Sequence, residues 1–349
     1  MKKSSWIIFV LLPLGFSLSA FETQKENVKL EVNEDSGRYN VRYAESLAEG
    51  DFVPFFVPED IWTTKDILIL GGRRFVLGDE GGFKTEVLPQ STGARILWSR
   101  SDFSVQKTIE IFSSSESQSG SGVKITYTLT NTGASNTRAQ IGILLDTYLG
   151  EQGVHFYTSD GQAITAEREI ESFEMPESIV SRKRDESAGL RVMTLGSQLS
   201  SPQRIVLANW RRINDSKGDF DIKEGRDFNQ LPYSINDSAI YLEYPTTVLR
   251  TQQTAKLVVA IGSWSAPALD ITNLAEDSDQ LDELLTATVN DADLSPAQLY
   301  QQDMDALIAL LNELNDKLKQ PQLFTEDDQQ LYEATLKEIE SRRNIYLRE

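Results

Sequence analysis

Between Phe21 and Trp264 the chain is a succession of short runs in which apolar and polar residues alternate, each closed within a few residues by Gly, Asn, Asp or Ser. A period of two puts one side of each run on an apolar surface and the other toward water, the pattern of antiparallel strands and their turns. Lys29-Leu30-Glu31-Val32 and Tyr39-Asn40-Val41-Arg42-Tyr43 flank the turn residues Asn33-Glu34-Asp35-Ser36-Gly37, which predicts a hairpin near the mature amino end. Asp66 to Leu70 and Arg73 to Leu77 flank Gly71-Gly72, a second hairpin whose tight turn demands positive φ. Ser104 to Phe112 places Val105, Lys107, Ile109 and Ile111 on one side. Further runs follow at Val123 to Leu129, Arg138 to Leu145, Ile205 to Trp210, Ala239 to Tyr244 and Lys256 to Ile261. Their number exceeds one small sheet. The expected class is mainly β, a large antiparallel two-sheet β-sandwich over residues 21–266, followed by a C-terminal α-helical hairpin.

Ahead of the strands, Lys2 and Lys3 precede an apolar run from Trp6 to Leu14 that gives way to Ser17-Leu18-Ser19-Ala20. This is the layout of a bacterial secretory signal, so residues 1–20 are read as a signal peptide cleaved after Ser19 or Ala20. An exported protein is expected, periplasmic in preference to released. The chain has no cysteine, which removes a lipid-anchoring thiol, disulfides and a thiolate nucleophile or ligand. Beyond the signal no apolar stretch approaches the ~20 residues of a membrane span.

The sequence carries 34 basic and 53 acidic residues, and removing Lys2 and Lys3 with the signal leaves 32 against 53, a net charge of −21. Phosphate binding depends on clustered Lys and Arg, so nucleic acid is excluded as an expected partner, and an anionic membrane surface with it.

After Trp264 the texture changes. From Asp270 to Asp293 there are eight acids and not one Lys or Arg, and residues 267–294 read as an acidic linker. Ser295-Pro296-Ala297-Gln298 is a helix start, with Ser as cap and Pro in the first turn. Tyr300, Met304, Leu307, Leu311, Leu314 and Leu318 then follow at alternating spacings of four and three, the apolar seam of a coiled-coil-like helix. Pro321 stops it, and Thr325-Glu326-Asp327-Asp328 opens a second helix. Residues 295–349 are therefore expected to form a helical hairpin that docks on its own chain, on a second copy or on a protein partner.

Few residues point to chemistry. His155 is the only histidine, so a multi-histidine zinc site is excluded. It is expected either to be hydrogen-bonded among apolar neighbours or to act as a base beside Asp146 or Asp160. Asp146 ends the apolar run Ile141-Gly142-Ile143-Leu144-Leu145, where it either ties down the Leu149-Gly150 turn or faces a ligand. Asp237, just before the Ala239 strand, invites the same two readings. Convergence of Asp146 and Asp237 would make a glycosidase-like carboxylate pair. Asp215, Asp219, Asp221, Glu224 and Asp227 are weak calcium candidates, because Lys217, Lys223 and Arg226 oppose a cation and the spacing matches no EF-hand. Trp98, Trp210, Trp264, Phe55 and Phe56 are either core or a sugar-stacking face. No Gly-rich phosphate loop and no Gly-x-Ser-x-Gly elbow occurs, and no cofactor is expected.

Taken together, Gly142 to Gly150, His155-Phe156, Ile164-Thr165-Ala166-Glu167, Ala208-Asn209-Trp210 and Asp237-Ser238-Ala239 resemble a set found in a spirochaete-like group of exported bacterial β-sandwich proteins. The resemblance covers about Val28 to Trp264. It implies a sandwich and carries over no catalytic residue. Two functions follow as expectations: a non-enzymatic binding or scaffolding protein docking through Tyr300 to Leu318, or a carbohydrate-binding or carbohydrate-active protein using Asp146 and Asp237.

Overall fold

Twenty strands, all paired antiparallel, account for most of residues 20–44, 52–57, 63–112, 121–196, 198–223 and 225–264, which are the residues that this computed structural model describes. They are β1 (Ala20–Lys25), β2 (Val28–Asn33), β3 (Tyr39–Tyr43), β4 (Val53–Pro54), β5 (Lys65–Leu70), β6 (Arg73–Val76), β7 (Lys84–Gln90), β8 (Gly93–Arg100), β9 (Phe103–Phe112) and β10 (Gly122–Thr130). There follow β11 (Thr137–Thr147), β12 (Phe156–Thr158), β13 (Ala163–Ile164), β14 (Arg168–Glu171), β15 (Ser178–Arg182), β16 (Gly189–Met193), β17 (Arg204–Asn209), the helix α1 (Trp210–Ser216), β18 (Ser238–Glu243), β19 (Thr247–Leu249) and β20 (Thr254–Ser263). The chain divides into two units, Met1–Ile271 and Thr272–Glu349, and every described residue lies in the first. The acidic linker of 267–294, the helical hairpin of 295–349 and the signal peptide all fall outside the described residues, Ala20 excepted. Among the described residues no helix is long and apolar enough to cross a membrane.

The mainly β class stands, with one correction: the described strands form three sheets, not two. A nine-stranded sheet runs β13-β12-β15-β16-β20-β10-β9-β8-β7, a seven-stranded sheet runs β14-β17-β18-β11-β5-β6 with β19 also on β11, and β1 to β4 form a small sheet of their own. The third sheet exists because the first hairpin, β2 with β3, gains a strand on each side in place of joining a large sheet. It alternates as the sequence suggests: Val28, Leu30 and Val32 are buried while Lys29 and Glu31 are half-buried.

One apolar core joins all three sheets, drawing Val28 and Tyr39 from the small one, Ile109, Ile125 and Val259 from the nine-stranded one, and Leu68, Ile143, Ile205 and Ile240 from the seven-stranded one. The seven-stranded sheet is covered on its other face too. There Ile67, Leu144, Val206, Ala208 and Tyr241 pack with Ile213 of α1 and with Trp210, Phe220 and Ile222. A strand buried on both faces reads as a continuous apolar run, which explains Ile141 to Leu145. Lys107 of β9 lies on the inward side with Val105 and Ile109, wholly buried, and its Nζ is 2.6 Å from Asp66 Oδ2 of β5. The Tyr127 hydroxyl donates to the other oxygen of Asp66 at 2.6 Å. The predicted glycine hairpin is β5 with β6, turning at Gly71 (φ 57°) and Gly72 (φ 82°).

Candidate functional site

One end of the seven-stranded sheet gathers the segments singled out in the sequence. β11 ends at Asp146-Thr147 and β18 starts at Ser238, with Thr147 paired to Ser238 and Asp146 to Ala239. β17 ends at Asn209, the other register partner of Ser238. Side chains then lock the strand ends together. Thr147 Oγ1 donates to the Ser238 carbonyl at 3.1 Å and Ser238 Oγ to the Thr147 carbonyl at 3.4 Å. The Asn209 backbone N–H donates to Glu167 Oε1 at 3.1 Å, and its side chain caps α1 by accepting from the Arg212 N–H. Its Nδ2 donates to the Phe228 carbonyl at 3.0 Å and to Ser234 Oγ at 2.9 Å, which fixes the loop between α1 and β18. Arg212 pairs with the buried Glu167 and donates to the Asn229 carbonyl at 2.7 Å.

Within this frame His155 is 8 % exposed and lies over Phe228, ring centroids 4.2 Å apart. Burial lowers its pKa, against a hydrogen bond to the Asn236 backbone and the charge of Asp227, so it is a neutral ring in the wall. Asp160 is engaged by the Thr158 hydroxyl and the Gln162 N–H and sits in its own turn. Asp146 is 3 % exposed, on the sheet face that carries Ala239 and α1, and its carbonyl accepts from the Val57 N–H. Asp237 is half-buried, and its carbonyl accepts from the Trp210 N–H. Asp237 thus stands one residue ahead of β18, two positions before the register partner of Asp146, the one acid shielded and the other half-buried.

The accessible acid beside Asp237 is Glu151, which sequence reasoning missed. It sits in the turn after β11, half-buried, and accepts from the Ser238 N–H at 3.3 Å. Burial, reinforced by the charge of Asp237, pushes its pKa up to about 8, against the Ser238 hydrogen bond. Burial also raises the pKa of Asp237, opposed by the Ser234 hydroxyl and the Arg211 charge. Asp237 has a guanidinium in its field, so Glu151 is the better holder of the proton. Two neighbouring carboxyls, one of which holds its proton more firmly than the other, can give and take a proton in a single step. In the loop that leads to Asp237, Leu231, Tyr233 and Ile235 are 73 %, 65 % and 68 % exposed, and the Arg211 guanidinium lies 4.4 Å from the Tyr233 ring centre.

The turn that carries Glu151 also walls a groove of about 680 Å³, lined by Tyr148, Leu149 and Gln152 on one side and Lys183, Arg184 and Asp185 on the other. The remaining sequence candidates lie elsewhere. Asp215 is on α1 in an ion pair with Arg211 at 3.6 Å, and among the described residues no group of three His, Asp or Glu side chains is placed to hold a metal ion; Asp219 and Asp221 belong to no such group. Glu224 lies outside the described residues. Trp98, Phe55 and Phe56 are core, at most 2 % exposed, and Trp210 donates to the Thr63 carbonyl at 2.9 Å.

No family model matches this chain, and no curated protein matches it. Among solved structures it is similar to a candidate aldose 1-epimerase from Escherichia coli K12, with 9 % identity over 70 % of this chain and 98 % of the other, at a TM-score of 0.45. It is also similar to a galactose mutarotase-like protein from Lactobacillus casei, with 7 % identity over 70 % of this chain and 100 % of the other, at 0.44. A galactose mutarotase related enzyme from Lactobacillus acidophilus shares 10 % identity over 72 % of this chain and 100 % of the other, at 0.36. No residue role is transferred from any of them.

Proposed function

We propose that this is a carbohydrate-binding or carbohydrate-active protein, with its saccharide held along the 148–152 turn, in the groove that Tyr148 and Gln152 line and beside Glu151. The observation that carries the reading is the pair of half-buried carboxyls, Glu151 with its pKa near 8 and Asp237 beside it. Sugar hydroxyls are bound by carboxyl and amide groups that both donate and accept, and their C–H faces by exposed aromatic rings. Tyr148 and Gln152 line the groove, and Glu151 of the same turn accepts from the Ser238 N–H next to Asp237. Of the two aspartates named from sequence, Asp237 takes the direct role and the shielded Asp146 a positioning one.

If the protein turns its sugar over, the pair suits proton exchange at an anomeric centre. Asp237 takes the proton of the O1 hydroxyl while Glu151 delivers one to the ring oxygen, which breaks the C1–O5 bond and leaves the open aldehyde. Reclosure on the opposite face returns both protons and yields the other anomer. The test is a screen of mutarotation and glycan binding with the wild type, Glu151→Gln and Asp237→Asn. Loss of turnover or binding in both variants, with unchanged circular dichroism, supports the reading; sugar-independent behaviour of all three proteins removes it. Docking through Tyr300 to Leu318, and export by residues 1–20, remain separate proposals that rest on sequence.

A further inference from the structure

The groove beside Glu151 has the wrong charge for this protein. The chain carries a net charge of −19, yet among the described residues the groove lining includes Lys183 and Arg184, adjacent in the hairpin between β15 and β16. Among the described residues neither has a carboxylate within ion-pair distance, unlike Arg182, which pairs with Glu186 at 3.1 Å. Asp185 lines the groove as well: its Oδ1 accepts from the Ser187 N–H at 3.1 Å and from the Ser187 hydroxyl at 2.7 Å, and the charge of Lys183 acts on it, so the lining sets two cations against one acid. The hairpin itself is fixed, with the Lys183 N–H donating to the Ala188 carbonyl at 2.8 Å and the Glu186 N–H to the Lys183 carbonyl at 3.0 Å. Across the groove Gly153 approaches Arg184, where an added Cβ would meet the arginine stem at 3.4 Å. Two cations are thus held on a rigid turn, facing an aromatic ring and an amide.

We propose that this groove selects an anionic saccharide, one whose ring carries a carboxylate, sulfate or phosphate, with Arg184 and Lys183 as specificity-determining residues. The proposal deepens the carbohydrate reading and rests on it. A guanidinium meets a carboxylate or phosphate with two parallel hydrogen bonds, and an ammonium adds a point charge, so the pair discriminates by charge where Tyr148 and Gln152 would take any sugar. In a strongly acidic protein the local positive charge of Lys183 and Arg184 lowers the repulsion that an anion meets on approaching the groove.

The experiment is calorimetric titration of the full chain with glucose, galactose and mannose, each alongside its uronate, 6-sulfate and 6-phosphate. We expect at least one anionic form to bind about tenfold or more tightly than its neutral parent, with the preference weakened by salt. Lys183→Ala with Arg184→Ala is expected to abolish that preference, and Lys183→Arg with Arg184→Lys to restore part of it, while the urea midpoint of each variant stays at the wild-type value. The sulfate, phosphate and uronate arms tell which anion is recognised. Equal binding of neutral and anionic forms, or an anionic preference that survives the double alanine variant, overturns this proposal and leaves the carbohydrate reading standing. No binding of any sugar in the series overturns both.

Discussion

Lys107 and Asp66 are joined at 2.6 Å across the gap between the two large sheets, the lysine wholly buried and the aspartate 5 % exposed. Lys107 also donates to the Gly37 carbonyl at 3.0 Å and lies 4.5 Å from the Tyr39 ring centre, so the pair ties all three sheets at one point. Removing one partner leaves an uncompensated charge in the core. Lys107→Met is expected to cost about 3–5 kcal/mol, and Lys107→Met combined with Asp66→Leu to recover much of it. Urea unfolding of the two variants measures both.

Glu151 gives stability a pH dependence of defined sign. Its folded pKa of about 8 lies above the ordinary 4.5, so the folded protein holds a proton that the unfolded chain releases. That contribution is complete below about pH 4.5 and is lost as pH rises through 8. Glu151→Gln is expected to flatten the slope between these limits, read from melting temperatures at successive pH values.

Gly142 and Gly218 flank the ring of Tyr241. A Cβ at Gly142 would lie 2.1 Å from the Tyr241 hydroxyl, which accepts from Arg74 at 3.0 Å and contacts Glu243 at 3.3 Å. Gly142→Ala forces the ring out of a packed layer and is expected to destabilise by about 1–3 kcal/mol. Chemical denaturation checks the size, and a normal far-ultraviolet spectrum checks that the fold is kept.

Asn209 holds both the helix and the loop. Asn209→Ala removes the α1 cap and the bonds to Phe228 and Ser234, with an expected loss of about 1–2 kcal/mol. Hydrogen exchange should accelerate across residues 227–237 before it does in β18. Uniform protection in that loop would show that other contacts hold it.

Local strand order was legible where the chain alternates between turn residues, as in β2 with β3 and β5 with β6. The arrangement of strands within sheets was not, because it depends on pairings such as β10 with β20, more than a hundred residues apart. The inward position of Lys107 could be read from its place between Val105 and Ile109, but its partner, 41 residues earlier, could not. The seven-residue helix α1 is not expected from the sequence, which takes only Trp210 into the preceding strand and reads Asp215 onward as a loop, since so short a helix shows no period; Asn209 as a capping residue is the available signal. Asp237 was found because it precedes a strand. Glu151 was missed because what distinguishes it is burial beside Asp237, 86 positions on, and only the turn glycines Gly150 and Gly153 marked its place.

Strand β20 sits between β16 and β10 in the nine-stranded sheet, and its removal would split that sheet into two four-stranded pieces. A nascent chain therefore carries two open, hydrogen-bond-hungry edges until residue 263 has been made, and no earlier stop can yield the native sandwich. Synthesis must run almost to the end of the sheet-forming sequence before closure begins, so a ribosome-bound intermediate stays extensible and exposed to aggregation throughout.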